Sequence, residues 1–287
     1  MPELPEVENI KRGLIKKVIN KKIIYVEISE IVASSHKNQK RAVVKDNLEI
    51  FKKNLIGKTI LDLTRRGKYL YFTLEKGYLV THFGMTGAYF VVREEKDIKN
   101  KNYYKHRHII FNFETGEKMC FCDIRRFSEL RYLDDISTFK PFQQMAPEPF
   151  HHDSLKKFLD KLNEKKYLNK EIKALLLDGS VFCGCGNIYA CEVLYKEKIN
   201  PLTFSKNLSE EDKKRIFISL KEILEFSIEK GGSTISDYVN SEGEKGNMQN
   251  YLKIYEKKVC PLGHATKNIK IKGRSTYFCP ECQKYPV

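Results

Sequence analysis

The pattern of apolar and polar residues changes character near the middle of the chain. In the first half, apolar residues come in short runs rich in β-branched and aromatic side chains, separated by glycine and charged residues. Such runs predict eight β-strands: Ile23–Ile28, Ile60–Leu63, Tyr69–Leu74, Tyr78–Phe83, Ala88–Val92, Ile109–Phe113, Met119–Cys122 and Glu129–Leu133. Strands at this density predict a two-sheet β-sandwich.

Helical periodicity occurs at the start of the chain and again in its second half. The first helix is predicted from the spacing of Val7, Ile10, Leu14 and Val18. A later apolar face consists of Leu155, Phe158, Leu159 and Leu162. Ser209 and Asp212 have the spacing of a capping box, and the helix that they begin is expected to end at Gly231-Gly232.

A proline-rich stretch, Lys140–Pro149, separates the two patterns and predicts a domain boundary. We therefore expect an α+β, multidomain protein. Its domains would be an N-terminal β-sandwich with an N-terminal helix (1–140), a helical domain (150–254) and a small C-terminal module with a β-hairpin (255–287).

Composition narrows the class of partner. The 287 residues include 52 Lys+Arg and 37 Asp+Glu, a formal net charge of +15. This excess favours a polyanionic partner, nucleic acid before membrane, although a merely soluble basic surface is the plain alternative. No apolar run approaches the roughly 20 residues of a membrane span, and the N-terminus lacks a signal-peptide pattern. We expect a cytoplasmic protein.

The first residues carry candidate chemistry. Initiator methionine is usually removed before a small residue, so the mature chain is expected to begin at Pro2. Its terminal secondary amine would be partly unprotonated at neutral pH and nucleophilic, and Glu3 could transfer protons beside it. The alternative is a plain helix start, with Pro5 in the first turn and Glu6 complementing the dipole; both can hold at once.

Basic and glycine-containing segments follow in order. Arg65-Arg66-Gly67-Lys68 predicts a phosphate site on a turn, whereas most such runs are only solvated charge. Met85 lies between two glycines, and in an extended segment Arg125 and Phe127 would project to the same side. Gly184–Ala190 precedes a helix, an arrangement that favours phosphate binding.

Seven of the eight cysteines fall into two groups. Cys120/Cys122 and Cys183/Cys185 are expected to be small buried side chains. At the C-terminus, Cys260-x3-His264 and Cys279-x2-Cys282 have the spacing of a Cys3His zinc site. A metal-free hairpin held by packing is the alternative. Between the two pairs, residues 269–278 alternate as a β-hairpin with Gly273-Arg274 at the turn.

Pro-Glu-Leu-Pro-Glu at the start, followed in order by these segments, resembles the formamidopyrimidine-DNA glycosylase (Fpg) and endonuclease VIII family over nearly the whole chain. The resemblance implies a bifunctional DNA glycosylase and AP lyase of base-excision repair, with a helix–two-turn–helix domain and a zinc finger holding one structural Zn²⁺. The family's usual finger has four cysteines, so His264 is a departure from its pattern.

The resemblance also assigns roles to individual residues. It implies catalytic roles for Pro2 as the Schiff-base nucleophile, Glu3 as acid/base, Lys68 in β-elimination and Arg274 in δ-elimination. Met85, Arg125 and Phe127 would fill the space left by the flipped base, with Arg125 bonding to the orphaned partner base. The remaining implied DNA contacts are His106, Lys173 and Asn187.

The resemblance favours oxidised purines as the substrate. Gly231–Thr234 and Ser241–Gln249 look like the loop that covers the flipped base in the Fpg branch. The expected partner is therefore double-stranded DNA containing oxidised bases such as 8-oxoguanine and formamidopyrimidines, bound by a monomer. Two alternatives remain, the same chemistry on oxidised pyrimidines and a binding-only zinc-finger protein that has lost catalysis.

Overall fold

The computed structural model describes residues 2–40, 42–234, 238–240 and 243–285. The chain divides into two compact units. The first comprises Met1–Lys140 with Lys230–Gln249, and the second comprises Pro141–Glu229 with Asn250–Val287.

Eight antiparallel strands of the first unit form two four-stranded sheets. The strands are β1 (Ile23–Ile28), β2 (Ile60–Arg66), β3 (Tyr69–Leu74), β4 (Tyr78–His82), β5 (Gly87–Val92), β6 (Arg107–Phe113), β7 (Lys118–Asp123) and β8 (Glu129–Leu133). One sheet has the order β1-β6-β7-β5 and the other β2-β3-β4-β8. The predicted β-sandwich is confirmed, with all eight strands at the predicted places.

The core of this unit lies between the two sheets and one long helix. Helices α1 (Leu4–Val18), α2 (Glu30–Lys37), α3 (Leu48–Leu55) and α4 (Lys101–Lys105) belong to the unit. The four residues that predicted α1 are all 0% exposed. Phe72 of β3 and Tyr89 of β5 meet across the sheets with ring centroids 5.5 Å apart. Apolar burial on this scale is the main source of the unit's stability.

The second unit is helical and carries the C-terminal hairpin. Its elements are α5 (Lys140–Gln144), α6 (Ser154–Asn163), α7 (Lys165–Leu168), α8 (Ile172–Leu176), α9 (Asn187–Lys196), α10 (Glu210–Glu229), β9 (Lys267–Ile271) and β10 (Arg274–Phe278). The predicted capping box begins α10, because Ser209 N donates to Asp212 Oδ2 and Asp212 N donates to Ser209 Oγ, each at 3.0 Å. In the described part of the chain, no helix is long and apolar enough to cross a membrane.

The division into units differs from the predicted domain boundaries. The segment Lys230–Gln249 falls in the first unit although the sequence placed it in the helical domain, and 255–287 is part of the second unit. The physical reason is burial: Tyr238 is only 7% exposed and belongs to the core of the sandwich. The four Cys-x-Cys cysteines are buried, as predicted.

Candidate active site and nucleic-acid interface

The first described residues of the chain are buried at the beginning of α1. Pro2 and Glu3 are both buried, and Glu3, 3% exposed, is the residue that caps the helix. Glu3 N donates to Glu6 Oε2 at 2.8 Å, and Val7 N donates to Glu3 O at 3.1 Å. The helix start predicted from Pro5 and Glu6 is therefore present. Its positive dipole end disfavours a protonated amine at Pro2.

Glu6 joins this N-terminus to the segment Lys230–Gln249. Its second carboxylate oxygen, Oε1, accepts from Ser233 N at 2.7 Å, and its backbone oxygen accepts from Tyr238 Oη at 3.3 Å. Gly232 has a φ of +82°, and a Cβ there would lie 3.0 Å from Glu6 Oε1. Sequence reasoning gave Glu6 only a dipole role, because its partners are more than 220 residues away. Of the predicted covering loop, Ser241 and Glu242 lie outside the described residues.

Lys68 is in the two-residue turn between β2 and β3. Gly67 precedes it with a φ of +58°, the conformation that the first position of such a hairpin turn favours in glycine. Arg65 faces inward instead: its Nε lies 2.9 Å from Glu8 Oε2, with the arginine side chain 8% exposed. Of the three cations in the predicted phosphate site, Arg65 is therefore engaged within the protein.

The Arg65–Glu8 pair stabilises the position of this turn against α1. Burial disfavours the charged carboxylate of Glu8, but the hydrogen bond and charge of Arg65, with Lys11 and Arg12 nearby, outweigh it. The pKa of Glu8 is consequently lowered from its ordinary value. An ionised Glu8 thus holds the base of the Lys68 turn at neutral pH.

The Met85 loop packs closely against the loop between β7 and β8. A Cβ on Gly84 would lie 2.4 Å from the carbonyl carbon of Phe127, and one on Gly87 would lie 2.5 Å from Ser128 Oγ. Only glycine fits at either position without moving backbone. The two glycines around Met85 therefore bring this residue beside the loop that carries Arg125 and Phe127.

Asp123, which is 0% exposed, holds the two loops together. Its Oδ1 accepts hydrogen bonds from Thr86 Oγ1 and from Arg125 N, the latter at 3.2 Å. Its Oδ2 accepts from Ser128 N at 2.8 Å. Sequence reasoning missed the roles of Asp123, Thr86 and Ser128. The only sequence signal for the role of Asp123 was its position at the end of a predicted strand, directly before a basic turn.

Arg125 and Phe127 lie on a turn and not on an extended strand. Arg126 between them has a φ of +56°, which corrects the expectation of strand alternation. The Arg125 guanidinium nevertheless stands 4.9 Å from the centroid of the Phe127 ring, an ordinary cation–π distance. The close approach of Gly84 to Phe127 therefore places the Met85 loop beside Arg125 and Phe127, by a different backbone route from the expected one.

Two histidines follow the end of α4. His106 Nδ1 donates to Asn102 O at 2.7 Å, so its Nε2 is the nitrogen that can accept a hydrogen bond while the ring is neutral. His108 is 2% exposed, and its Nε2 donates to Asp123 O at 3.0 Å. Burial lowers the pKa of His108, against the hydrogen bond and charge of Asp123.

Lys173 lies in the interior of the second unit. It is 0% exposed, and its Nζ is 2.8 Å from Cys191 Sγ and donates to Asn187 O at 3.3 Å. In this conformation the amine does not reach the surface, contrary to the expected phosphate contact. Burial raises the pKa of Cys191, although the charge and hydrogen bond of Lys173 oppose that rise.

Asn187, the first residue of α9, contacts the C-terminal hairpin. Its Nδ2 donates to Ser275 O at 2.7 Å, immediately after Arg274. Arg274 is exposed at the start of β10, and Lys272 and Gly273, with φ of +49° and +71°, form the turn before it. The turn is thus one residue earlier than predicted, and Arg274 lies at its strand end.

The four predicted zinc ligands, Cys260, His264, Cys279 and Cys282, converge at the base of the hairpin. Their ligand atoms all lie within 4.8 Å of one another. Cys260 Sγ and Cys282 Sγ are 3.9 Å apart, and His264 Nδ1 is 3.3 Å from Cys282 Sγ and 3.8 Å from Cys279 Sγ. None of these three cysteines forms a disulfide.

These distances fit tetrahedral metal coordination. Zn–S bonds of about 2.3 Å and Zn–N bonds of about 2.0–2.1 Å place two sulfurs about 3.8 Å apart, and a nitrogen and a sulfur about 3.5 Å apart. A disulfide would need sulfurs about 2.05 Å apart. The cluster can therefore hold a metal ion, and His264 stands in the position of the fourth ligand.

Sequence reasoning missed two buried polar side chains, Glu192 and Gln283. They connect the C-terminal module to α9 and to the residues that follow α9. Glu192 accepts from the backbone N–H groups of Lys253, Ile254 and Tyr255 at 2.8–3.0 Å. Burial raises the pKa of Glu192 in spite of these bonds. Gln283, 0% exposed, accepts from Cys279 N and donates to Ile199 O.

Comparisons with known proteins agree with this arrangement. Residues 1–130 match the family model for the formamidopyrimidine-DNA glycosylase N-terminal domain, and residues 145–239 match that for the H2TH domain of the same enzymes. Formamidopyrimidine-DNA glycosylase of Streptococcus mutans is 36% identical, over 99% of this chain and 100% of its own.

Solved structures of Lactococcus lactis Fpg are similar over 99% of this chain and 100% of theirs. A variant in complex with Fapy-dG-containing DNA has a TM-score of 0.84 at 34% identity. The wild-type protein with DNA containing an oxidised pyrimidine has a TM-score of 0.82 at 33% identity. The chain described here belongs to the formamidopyrimidine-DNA glycosylase family of DNA-repair enzymes.

Proposed function

We propose that the protein excises oxidised purines from duplex DNA and then cuts the abasic site, using the amine of Pro2 as nucleophile. The observation that carries this proposal is the position of Pro2, buried directly before α1 with Glu3 as the helix cap. Removal of Met1 creates a secondary amine there, and the helix dipole favours its neutral, nucleophilic form.

The chemistry follows from that amine. The Pro2 nitrogen attacks the sugar C1′ carbon, the glycosidic bond breaks, and the base leaves with a proton. Opening of the sugar ring gives an iminium ion, which is cationic without protonation and withdraws electrons from C2′. Loss of a C2′ proton then expels the 3′ phosphate, and a further elimination expels the 5′ phosphate. We assign proton transfer near the sugar to Glu3 and Lys68, and assistance to the second elimination to Arg274.

Met85, Arg125 and Phe127 are proposed to occupy the space that the extruded nucleotide leaves. Extrusion requires unstacking, and an inserted side chain with a stacked guanidinium replaces part of the lost contact. The loop-to-loop bonds of Asp123 support this role, because a wedge must be held rigidly to be effective. His106 and Asn187 remain proposed contacts to DNA, and Lys173 would have to move outward to become one.

Oxidised purines are the proposed substrate class because the segment Lys230–Gln249 is present and anchored beside Pro2 by Glu6. The Lactococcus lactis relative bound to Fapy-dG DNA supports this choice. The relative bound to an oxidised pyrimidine keeps pyrimidine lesions as the second candidate. Cleavage of a panel of purine and pyrimidine lesions by the same preparation separates the two.

One structural zinc is proposed at Cys260, His264, Cys279 and Cys282. The ion would supply rigidity to the hairpin that presents Arg274, since a module of this size has little core of its own.

Borohydride trapping on an 8-oxoguanine duplex tests the proposed chemistry. Reduction of the iminium should join wild-type protein covalently to DNA. Pro2→Gly, or an uncleaved N-terminal tag, should abolish or cripple trapping while duplex binding is retained. Pro5→Ala is the matched control, because this proline lies in the same turn but has no free amine, and it should trap normally. Strand nicking by Pro2→Gly at the wild-type rate would contradict the assignment.

A further inference from the structure

We propose that the cleft between α2 and the Arg125–Phe127 loop binds the sugar-phosphate backbone of the undamaged DNA strand, opposite the lesion. The cleft has a volume of about 590 Å³, within the size range of ligand sites. This inference rests on the proposed function and concerns a surface to which the catalytic residues do not contribute.

The charge of the cleft fits a phosphate backbone. Lys40, Arg125 and Arg126 line it, and Glu30 is the one carboxylate in its lining. Lys40 and Arg126 are exposed, and no carboxylate in the described part of the chain forms an ion pair with either. Cations without such partners retain their full attraction for phosphate oxygens.

The backbone of the loop sets Arg126 apart from its neighbour. The Arg125 guanidinium stacks over the Phe127 ring, whereas Arg126 adopts a φ of +56° and is exposed. A left-handed conformation is uncommon for a side chain of this size, and such strain concentrates at functional sites. We therefore assign the phosphate contact of the cleft to Arg126, whose exposed side chain is separate from the Arg125–Phe127 stack.

A buried chain of hydrogen bonds fixes both walls of the cleft. Ser29, which caps α2, has its Oγ 3.1 Å from His108 Nδ1, and His108 Nε2 donates to Asp123 O at 3.0 Å. A carbonyl can only accept, so Nε2 carries the proton and Nδ1 accepts from the Ser29 hydroxyl. Asp123 in turn accepts from Arg125 N. The site is preformed, which lowers the entropic cost of binding.

The position of the loop identifies the strand. In the proposed function Arg125 meets the partner base of the lesion, and that base belongs to the undamaged strand. The backbone that carries this base must pass beside the same loop, where the cleft begins. The lesion-bearing strand must instead reach the active site that contains Pro2, so it is the less suitable occupant of the cleft.

Salt-dependent binding to a duplex with a tetrahydrofuran abasic analogue tests this assignment. Lys40→Gln and Arg126→Asn are the variants, asparagine being chosen because it tolerates a positive φ. Each should weaken duplex binding about three- to tenfold and reduce the slope of log Kd against log salt by about 1. Binding to the lesion strand alone should not change. Lys37→Gln, an exposed lysine of α2 outside the cleft lining, is the matched control and should behave as wild type.

Uncharged methylphosphonate linkages identify the contacted strand. Placed in the undamaged strand across from the lesion, they should weaken wild-type binding as much as the variants do, and they should have no further effect on the variants. Equal losses for Lys37→Gln, equal losses on single-stranded DNA, or additive losses with methylphosphonate would each overturn the proposal. Trapping of Pro2 on single-stranded abasic DNA separately checks the chemistry. If trapping succeeds while the variants bind duplex normally, only the cleft assignment fails.

Discussion

At the scale of single residues, short polar contacts decide which side chains face DNA and which hold the fold. Arg65 lies near the end of strand β2, and Arg125 lies on the turn that follows β7. Arg65 is paired with Glu8 and largely buried, whereas Arg125 is exposed over an aromatic ring. The difference is the presence of a carboxylate on α1, which no local sequence pattern reveals.

Arg125→Ala should weaken binding to a lesion duplex by about 1–3 kcal/mol, because it loses contacts with the orphaned base and neighbouring phosphates. Binding to a pre-cleaved abasic single strand should change far less. Arg93→Ala, which removes an exposed arginine just beyond β5, is the control for charge alone. Fluorescence anisotropy with both DNA forms measures these losses. Equal losses on the two forms would identify Arg125 as an ordinary phosphate contact.

His108 should make the stability of the protein depend on pH below about 6.5. Its folded-state pKa is lowered by burial, so the folded protein holds it neutral while the unfolded chain binds a proton. Stability from this group is full above the unfolded pKa. It declines as pH falls towards the folded pKa, by at most about 1.4 kcal/mol per pH unit.

The free energy of unfolding in urea at pH 7.5 and 5.5 provides the measurement for His108. His108→Gln keeps a donor for Asp123 O and an acceptor for Ser29 but does not titrate, so its stability should fall less between the two values. The difference between the two proteins isolates His108 from the other histidines. Identical pH dependence in both would rule out this contribution.

At the scale of secondary-structure elements, buried polar side chains join segments that are distant in sequence. Glu6 joins α1 to Lys230–Gln249, Asp123 joins two loops, and Glu192 joins α9 to the residues before the hairpin. Each carboxylate accepts at least two hydrogen bonds from backbone N–H groups. Buried polar groups that are satisfied in this way specify geometry more sharply than apolar contacts do.

Glu6→Gln should slow base excision more than it slows nicking of a pre-formed abasic site. An amide has a single acceptor oxygen, so either Glu3 N or Ser233 N loses its partner, at a cost of about 1–3 kcal/mol. In the proposed function, only excision uses the segment that contains Ser233, because an abasic site has no base for that segment to cover. Single-turnover rates on the two substrates measure the effect, with Lys16→Gln, at an exposed position of the same helix, as the control. A proportional fall in both rates would contradict a positioning role for Glu6.

His264→Ala should lose metal and DNA binding together, whereas His264→Cys should keep both. The reason is that a thiolate can occupy the fourth position but a methyl group cannot, and the hairpin needs the ion for its rigidity. Elemental analysis should find about one zinc per chain in the wild type. A His264→Ala protein that keeps its zinc, or a metal-free protein with full nicking activity, would show that packing alone holds the hairpin.

The elements themselves could largely be predicted from the sequence, and the contacts between them could not. Alternation and glycine placement are local, so strands such as Tyr69–Leu74 and Glu129–Leu133 have their predicted bounds. The ligand cluster was also predictable, because its spacing is a local pattern. The inward position of Lys173 depends on Cys191 and Asn187, and the left-handed Arg126 depends on the close approach of two loops. Neither leaves a periodic signal.

At the scale of the whole molecule, the net charge of +15 governs how DNA binding should respond to salt. A pair such as Arg65 and Glu8 contributes nothing to this net charge, so the excess comes from cations beyond those that carboxylates balance. Binding should therefore weaken steeply with salt, since each phosphate contact releases counterions.

The return of Lys230–Gln249 to the first unit also affects how the protein is made. A ribosome delivers residues 1–140 long before Tyr238, so the sandwich emerges with the place of a core side chain still unfilled. The nascent first unit must wait for nearly 90 residues of the second, 141–229, before its core can close. For the same reason, a gene fragment ending at 140 encodes an incomplete unit, and messages truncated before codon 238 yield chains without a finished N-terminal core.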